Sequence, residues 1–106
     1  METTCESAEK SPAGTDGYGV VWKFPLTQML DRTVIIPMPT GATILSAQMQ
    51  HHVPTLWALC NPNSSRMESR AFRVIGTGNG HVHAGDRHVG TVQDGAWVWH
   101  IFEVAE

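Results

Sequence analysis

The segment at residues 78–90, GNGHVHAGDRHVG, holds the side chains best suited to chemistry, because His81, His83 and His88 fall within eight positions. On an extended strand, residues two apart point to the same face, so the rings of His81 and His83 would lie side by side. Imidazole binds zinc, nickel, copper and iron. A His-x-His pair with a third ligand nearby therefore has the composition of a three-ligand metal site.

The residues around these histidines favour a different interpretation. Small β-barrel enzymes of the cupin class follow such a pair with a Glu a few residues later, where this chain has AGDR at residues 84–87. Gly80 and Gly85 flank the pair, and a flexible loop fixes ligand geometry poorly. We therefore predict a solvated loop with no functional metal and no cofactor. A small metal-dependent, cupin-like β-barrel enzyme that uses His81 and His83 is the alternative hypothesis.

Other patterns typical of catalysis are incomplete in the sequence. The glycine-rich run GTGNG at residues 76–80 follows a predicted strand and does not lead into a helix, as a phosphate-binding loop would. No serine lies in a G-x-S-x-G motif, and no carboxylates are paired for acid–base catalysis. Cys60 ends an apolar run, where burial makes a thiol inert. We therefore expect that the protein is not an enzyme.

The last predicted strand is apolar on both faces. Trp97 and Trp99 share one face, whereas Val98, His100 and Phe102 share the other. Such a strand is either central in a sandwich or covered on one face by a partner, and tryptophan is enriched where binding energy concentrates. Trp97, Trp99 and Phe102 are therefore the candidate partner-binding residues. One set fills the core and the other forms a contact with another protein or with a second copy.

Short strands with turns between them should position these residues. Alternation of apolar and polar residues predicts about seven strands and no helix, at residues 20–26, 32–38, 42–50, 55–60, 70–78, 88–93 and 96–104. In the third, Leu45, Ala47 and Met49 are predicted to share the buried face. Asp94-Gly95 predicts a two-residue type I′ hairpin turn, and His51-His52 a second hairpin. The predicted fold is all-β, a small antiparallel β-sandwich or partly open barrel.

Length and composition set the remaining expectations. The 106 residues suit one domain, which we place at residues 18–106, after a polar N-terminal tail at residues 1–17 that we predict to be flexible and disordered. The net charge of −3 and the scattered basic residues argue against direct binding of nucleic acid. No apolar run approaches the roughly 18 residues of a membrane span. Two cysteines without a disulfide pattern favour the reducing cytoplasm.

Four stretches of the chain resemble a family of small uncharacterised proteins of tailed phages and prophages. They are VWKFPL, MPTGATILSAQMQHHVPTLWALCNP, RAFRVIGTGN and HVGTVQDGAWVWHIFEV. The family pattern is close to P-x-G-A-x-I-L-S-x-Q-x-Q, V-P-x-L-W-A-L, F-R-x-x-G-T-G and G-T-x-Q, and the resemblance covers residues 20–104. It implies a strand-rich fold and a viral origin, and it carries no catalytic residues to this chain.

These observations together lead to a functional expectation. We expect a non-enzymatic phage accessory protein that acts by binding a host or phage protein in the bacterial cytoplasm. Inhibition of a host defence system such as CRISPR–Cas is one form of that function. The alternatives are a component of the virion or its assembly, and the metal-dependent enzyme described above.

Overall fold

The computed structural model describes residues 19–27 and 33–105. The tail predicted at residues 1–17 lies outside them, and so does Cys5. The described residues form seven strands and no helix, as the sequence predicted. This part of the chain therefore contains no helix that could span a membrane. The strands are β1 (Val20–Pro25), β2 (Thr33–Pro39), β3 (Thr43–Gln50), β4 (Val53–Cys60), β5 (Met67–Gly76), β6 (Arg87–Asp94) and β7 (Trp97–Glu103).

The strands form two antiparallel sheets that pack as an open sandwich. Sheet A has the order β1-β4-β3 and sheet B the order β2-β5-β7-β6. Strands β4, β5 and β7 each lie between two neighbours, and β4 and β7 have the apolar residues on both faces that the sequence showed. The buried side chains between the sheets include Leu56 and Ala58 of β4, Phe72 of β5 and Ile101 of β7. Burial of this apolar surface is the main favourable contribution to folding.

Strand β3 departs from the predicted alternation. Its pairing with β4 shifts register between Ile44 and Ser46, so Leu45 is the extra residue of a β-bulge. The side chain of Leu45 is 52% exposed, whereas Ile44, Ala47 and Met49 pack against the core. The prediction that Leu45 shares the buried face was therefore wrong, because a bulge moves the alternation on by one residue. Strand β6 has a second register shift, between His88 and Gly90.

Both hairpin turns lie at the same end of the sandwich. His51 and His52 join β3 to β4 with φ angles of 52° and 68°, which agrees with the predicted hairpin and with the two positive φ angles of a type I′ turn. The other turn consists of Gly95 and Ala96, because Asp94 is already paired with Trp97. The prediction placed this turn one residue too early. With Gly95 at φ 60° in the first position, it matches a type II′ turn.

A cluster of charged side chains closes the opposite end of sheet B. The guanidinium of Arg70 donates two hydrogen bonds to Glu103, at 2.7 and 3.0 Å, and a third to the Ala42 carbonyl at 2.6 Å. Arg87 also donates to Glu103. Burial alone would raise the pKa of Glu103, but the two arginines outweigh it and hold that pKa below its usual range. The carboxylate therefore stays ionised and joins β5, β6 and β7.

The two sheets approach most closely where β6 crosses β3. A Cβ atom added to Gly90 would lie 2.9 Å from the Cβ of Ala47, closer than real Cβ atoms come to each other. The contact leaves no room for a larger side chain at position 90. The spacing of the sheets along this seam is therefore set by the pair Gly90 and Ala47.

We expect Gly90→Ala to destabilise the fold by about 1–3 kcal/mol, because the added methyl group overpacks the seam. Adding Ala47→Gly to that variant should recover part of the loss by making room for the methyl group. A double-mutant cycle from urea unfolding measures this coupling. If the effects of the two substitutions on the free energy of unfolding are additive, Gly90 and Ala47 are not in contact across the seam.

Candidate functional site

Strand β5 ends two residues short of the first residue of its antiparallel neighbour β7. The last pair between them is Gly76 with Trp99. The chain then turns sharply, and the Asn79 amide donates to the Gly76 carbonyl at 2.9 Å. The first two residues of β7, Trp97 and Val98, are consequently paired with β6 alone. This early departure opens the surface on both sides of the turn.

One side of the turn is a cleft built around two indole rings. Trp97 and Trp99 stack with ring centroids 6.2 Å apart and planes inclined by 17°. Trp99 packs against the core, and a Cβ at Gly76 would lie 3.3 Å from its ring, whereas Trp97 is 68% exposed. We call this the tryptophan cleft. It has a volume of about 350 Å³ and is lined by Gly76, Thr77, Asn79, Ala96, Trp97, Val98 and Trp99.

The other side of the turn is a second, shallower cleft on the outer face of sheet B. Its volume is about 400 Å³, and its floor includes Ile75 and Phe102. Gly76, Thr77 and Asn79 line both clefts, so the turn forms a ridge between them. We call this second site the His100 cleft, because His100 is the titratable side chain in its lining. The rest of the lining comes from Gly78, Gly80 and Val82.

A chain of hydrogen bonds fixes the histidines beside the His100 cleft. The Nε2 of His100 lies 2.7 Å from the hydroxyl of Thr77, and its Nδ1 lies 3.2 Å from the hydroxyl of Thr91. The same Thr91 hydroxyl lies 3.0 Å from the Nε2 of His88. The ring of His88 also meets Phe102 edge-on at 5.2 Å. Both nitrogens of His100 thus have hydroxyl partners, one on β6 and one in the turn after β5, and these fix the orientation of its ring.

The β5–β6 loop carries the other two sequence candidates, His81 and His83. Both side chains are exposed, as predicted for a solvated loop. The loop is nevertheless anchored, because the carboxylate of Asp86 accepts hydrogen bonds from the His83 and Ala105 amides at 3.1 and 3.2 Å. The Asp86 side chain is only 2% exposed and faces Arg73 at 4.0 Å. Burial acts to raise the pKa of Asp86, but the two amides and Arg73 hold it below its usual range.

The three histidines of the alternative metal hypothesis lie on two different elements. His88 lies on β6 with its ring bonded to Thr91, while His81 and His83 lie on the exposed loop. In residues 19–27 and 33–105, no group of three or more His, Cys, Asp or Glu side chains is placed to hold a metal ion. Cys60 is fully buried and unpaired. Burial raises its pKa more than the charge of Arg70 lowers it, and this makes the thiol unreactive.

The residues predicted to bind a partner lie on either side of the ridge. Trp97 and Trp99 line the tryptophan cleft, and Phe102 lines the His100 cleft. The sequence interpretation gave no role to Thr77 or Asn79, which lie between these aromatic rings. The predicted strand ran on to residue 78, whereas β5 ends at Gly76, and nothing local in the run GTGN linked Thr77 to His100, 23 residues later.

Comparison with known proteins gives a family and no function. Residues 18–106 match the model of a protein family described as a domain of unknown function (DUF7352). No curated protein and no solved structure matches the chain.

We expect Asp86→Asn to destabilise the protein most at neutral pH. The folded-state pKa of Asp86 lies below its unfolded value, so its stabilisation is complete above the unfolded pKa and is lost as the pH falls through the folded pKa. Urea unfolding of both proteins between pH 7 and pH 3 should show a difference that shrinks with acid. A difference that stays constant over that range would contradict the anchoring role of the charge.

We expect the double variant His81→Ala and His83→Ala to unfold within about 0.5 kcal/mol of the wild type, because both side chains are exposed. Its partner binding should also be unchanged. Zinc or nickel at one equivalent in wild-type protein, purified without a tag or added metal and lost from the double variant, would overturn this expectation.

Proposed function

Because the chain belongs to a family described as a domain of unknown function (DUF7352), we propose its function from its surface: it acts by binding another protein at the tryptophan cleft. The observation that carries the proposal is the exposed indole of Trp97. Leaving so large an apolar side chain in water forgoes roughly 1.5–3 kcal/mol of burial. A partner that covers the ring recovers this free energy, and tryptophans in such positions are the commonest centres of binding energy.

The surroundings of Trp97 support binding more than catalysis. Among the residues that the structure describes, no Lys, Arg, Asp or Glu lines either cleft. Protein interfaces are depleted in charge at their centres and enriched in aromatic residues. The stack on Trp99 also holds the Trp97 ring in one orientation before binding, which lowers the entropic cost of immobilising it in a complex.

The distribution of charge supports a partner with a basic surface. Residues 1–17 contain Lys10 and four acidic residues, whereas residues 18–106 contain six basic and six acidic residues. The whole net charge of −3 therefore belongs to the N-terminal segment. Attraction to a basic surface would speed association with a protein that itself binds nucleic acid. Together with the resemblance to small phage proteins, this favours a host defence complex of the CRISPR–Cas kind as the partner.

We expect Trp97→Ala to weaken partner binding by about 30-fold, which corresponds to about 2 kcal/mol. The matched control is Met67→Ala. Met67 is also an exposed apolar residue, but it lies at the start of β5, far from the Gly76 end that lines the tryptophan cleft. Each full-length variant is used to capture proteins from bacterial lysate, and the affinity of the captured protein is then measured. Melting temperatures show whether each variant is folded.

The identity of the captured protein decides the finer proposal. A nuclease or another defence complex supports inhibition of host defence. Phage virion proteins would replace that proposal with a role in assembly, and a second copy of the chain would replace it with a homodimer. A partner that binds Trp97→Ala as tightly as the wild type would overturn the assignment of the tryptophan cleft.

A further inference from the structure

The ridge between the two clefts ends in the pair Asn79-Gly80, which has a covalent chemistry of its own. The side-chain carbonyl carbon of an asparagine can be attacked by the backbone nitrogen of the next residue, which closes a small ring. Glycine in the second position favours the attack, because it has no Cβ atom to obstruct the nitrogen or to restrict the backbone. Both residues are exposed and lie outside the strands, so water and hydroxide reach them.

The backbone nitrogen of Gly80 is available for this attack. Among residues 19–27 and 33–105, no backbone carbonyl accepts a hydrogen bond from the Gly80 N–H. Its φ of 73° is a conformation that glycine adopts without strain. The backbone of Asn79 is held instead, because its N–H donates to the Gly76 carbonyl at 2.9 Å. The turn therefore fixes the residue that is attacked and leaves the attacking nitrogen unbonded.

The other two asparagines of the chain lack this arrangement. Asn61 is followed by Pro62, whose ring nitrogen carries no hydrogen and cannot become the attacking anion. Asn63 is followed by Ser64, which has a side chain and whose N–H donates to the Asn61 carbonyl at 3.2 Å. Asn79 is thus set apart from both by its sequence and by its backbone hydrogen bonds.

We propose that Asn79 is a site of spontaneous deamidation and that the product weakens partner binding at the tryptophan cleft. The Gly80 nitrogen loses its proton to hydroxide and bonds to Cγ of Asn79, and the side-chain nitrogen leaves as ammonia. Water then opens the resulting succinimide at either carbonyl carbon, which gives aspartate or isoaspartate. One water is consumed for each ammonia released, and nothing is oxidised or reduced. The effect on binding rests on the proposed function, whereas the chemistry does not.

The new carboxylate would lie on the border of both clefts, because Asn79 lines each of them. In the part of the chain that the structure describes, the lining of the tryptophan cleft contains no Lys, Arg or His to pair with it. A partner that covers Trp97 would therefore remove water from a charge that gains no ion pair, and this costs free energy.

Isoaspartate would also change the backbone of the ridge. In that product the main chain runs through the former side chain, which adds a methylene group between residues 79 and 80. The added length falls directly after the hydrogen bond that closes the turn from Gly76 to Asn79. Both products thus alter the surface beside Trp97, one by charge alone and the other by charge and shape.

The chemistry is tested by incubating the full-length protein in heavy-oxygen water and mapping its peptides by mass spectrometry. We expect Asn79 to gain a labelled carboxylate about tenfold faster than Asn63, which corresponds to a barrier lower by about 1.4 kcal/mol. The rate should rise from pH 6 to pH 8, because the attacking nitrogen must first lose its proton. Equal rates at Asn79 and Asn63, or a rate at Asn79 that does not rise with pH, would overturn the assignment.

The effect on binding is tested with the protein that the wild type captures from bacterial lysate. Asn79→Asp should bind it about tenfold more weakly than the wild type, and so should fully converted wild type. Asn79→Gln is the matched control, because the larger ring it would need forms more slowly, so incubation should leave its affinity unchanged. Melting temperatures show whether each variant is folded.

The outcomes separate this inference from the proposed function. If Asn79→Asp binds the captured protein as tightly as the wild type does, the proposed effect of deamidation on binding is wrong, while binding at Trp97 stands. If Trp97→Ala binds it as tightly as the wild type, the proposed function is overturned, and the mass measurement still decides the chemistry of Asn79.

Discussion

The contact between the indole of Trp99 and the backbone of Gly76 determines the shape of the end of sheet B that carries both clefts. The two residues face each other as the last pair of β5 and β7, and a Cβ at position 76 would lie only 3.3 Å from the ring, a tight contact. Because glycine leaves that space free, Trp99 can pack toward the core and Trp97 can stack on it. The turn at Asn79 then takes β5 out of the sheet. Both clefts and the ridge between them follow from this single departure.

Most of the fold was predictable from local pattern, and the differences have one kind of cause. Alternation of apolar residues predicted seven strands because half-buried strands impose a period of two on the sequence. The errors concern register. Leu45 is exposed because a bulge inserts one residue, and the second hairpin turn lies at Gly95-Ala96 because Asp94 pairs with Trp97. Both are decided by the opposite strand, which a local pattern does not include.

The candidate site was predictable in its aromatic residues only. A strand that is apolar on both faces drew attention to Trp97, Trp99 and Phe102 without showing that a turn from β5 would lie between them. The hydrogen bond between Thr77 and His100 joins the turn after β5 to β7, and the one between Thr91 and His100 joins β6 to β7. In the sequence, Asp86 was given no role beyond its place in the run AGDR, which lacks the Glu of a cupin. In the fold, its carboxylate instead satisfies two backbone amides of the loop and the chain end.

The irregular edges of both sheets bear on how the protein behaves at high concentration. Pro25 in β1 and Pro37 in β2 remove ladder donors, while β3 and β6 are bulged. Interruptions of this kind prevent exposed edges from joining into open-ended fibrils. The outer strands are thus poor templates for aggregation, which matters in a chain that leaves a side chain as large as the Trp97 indole exposed.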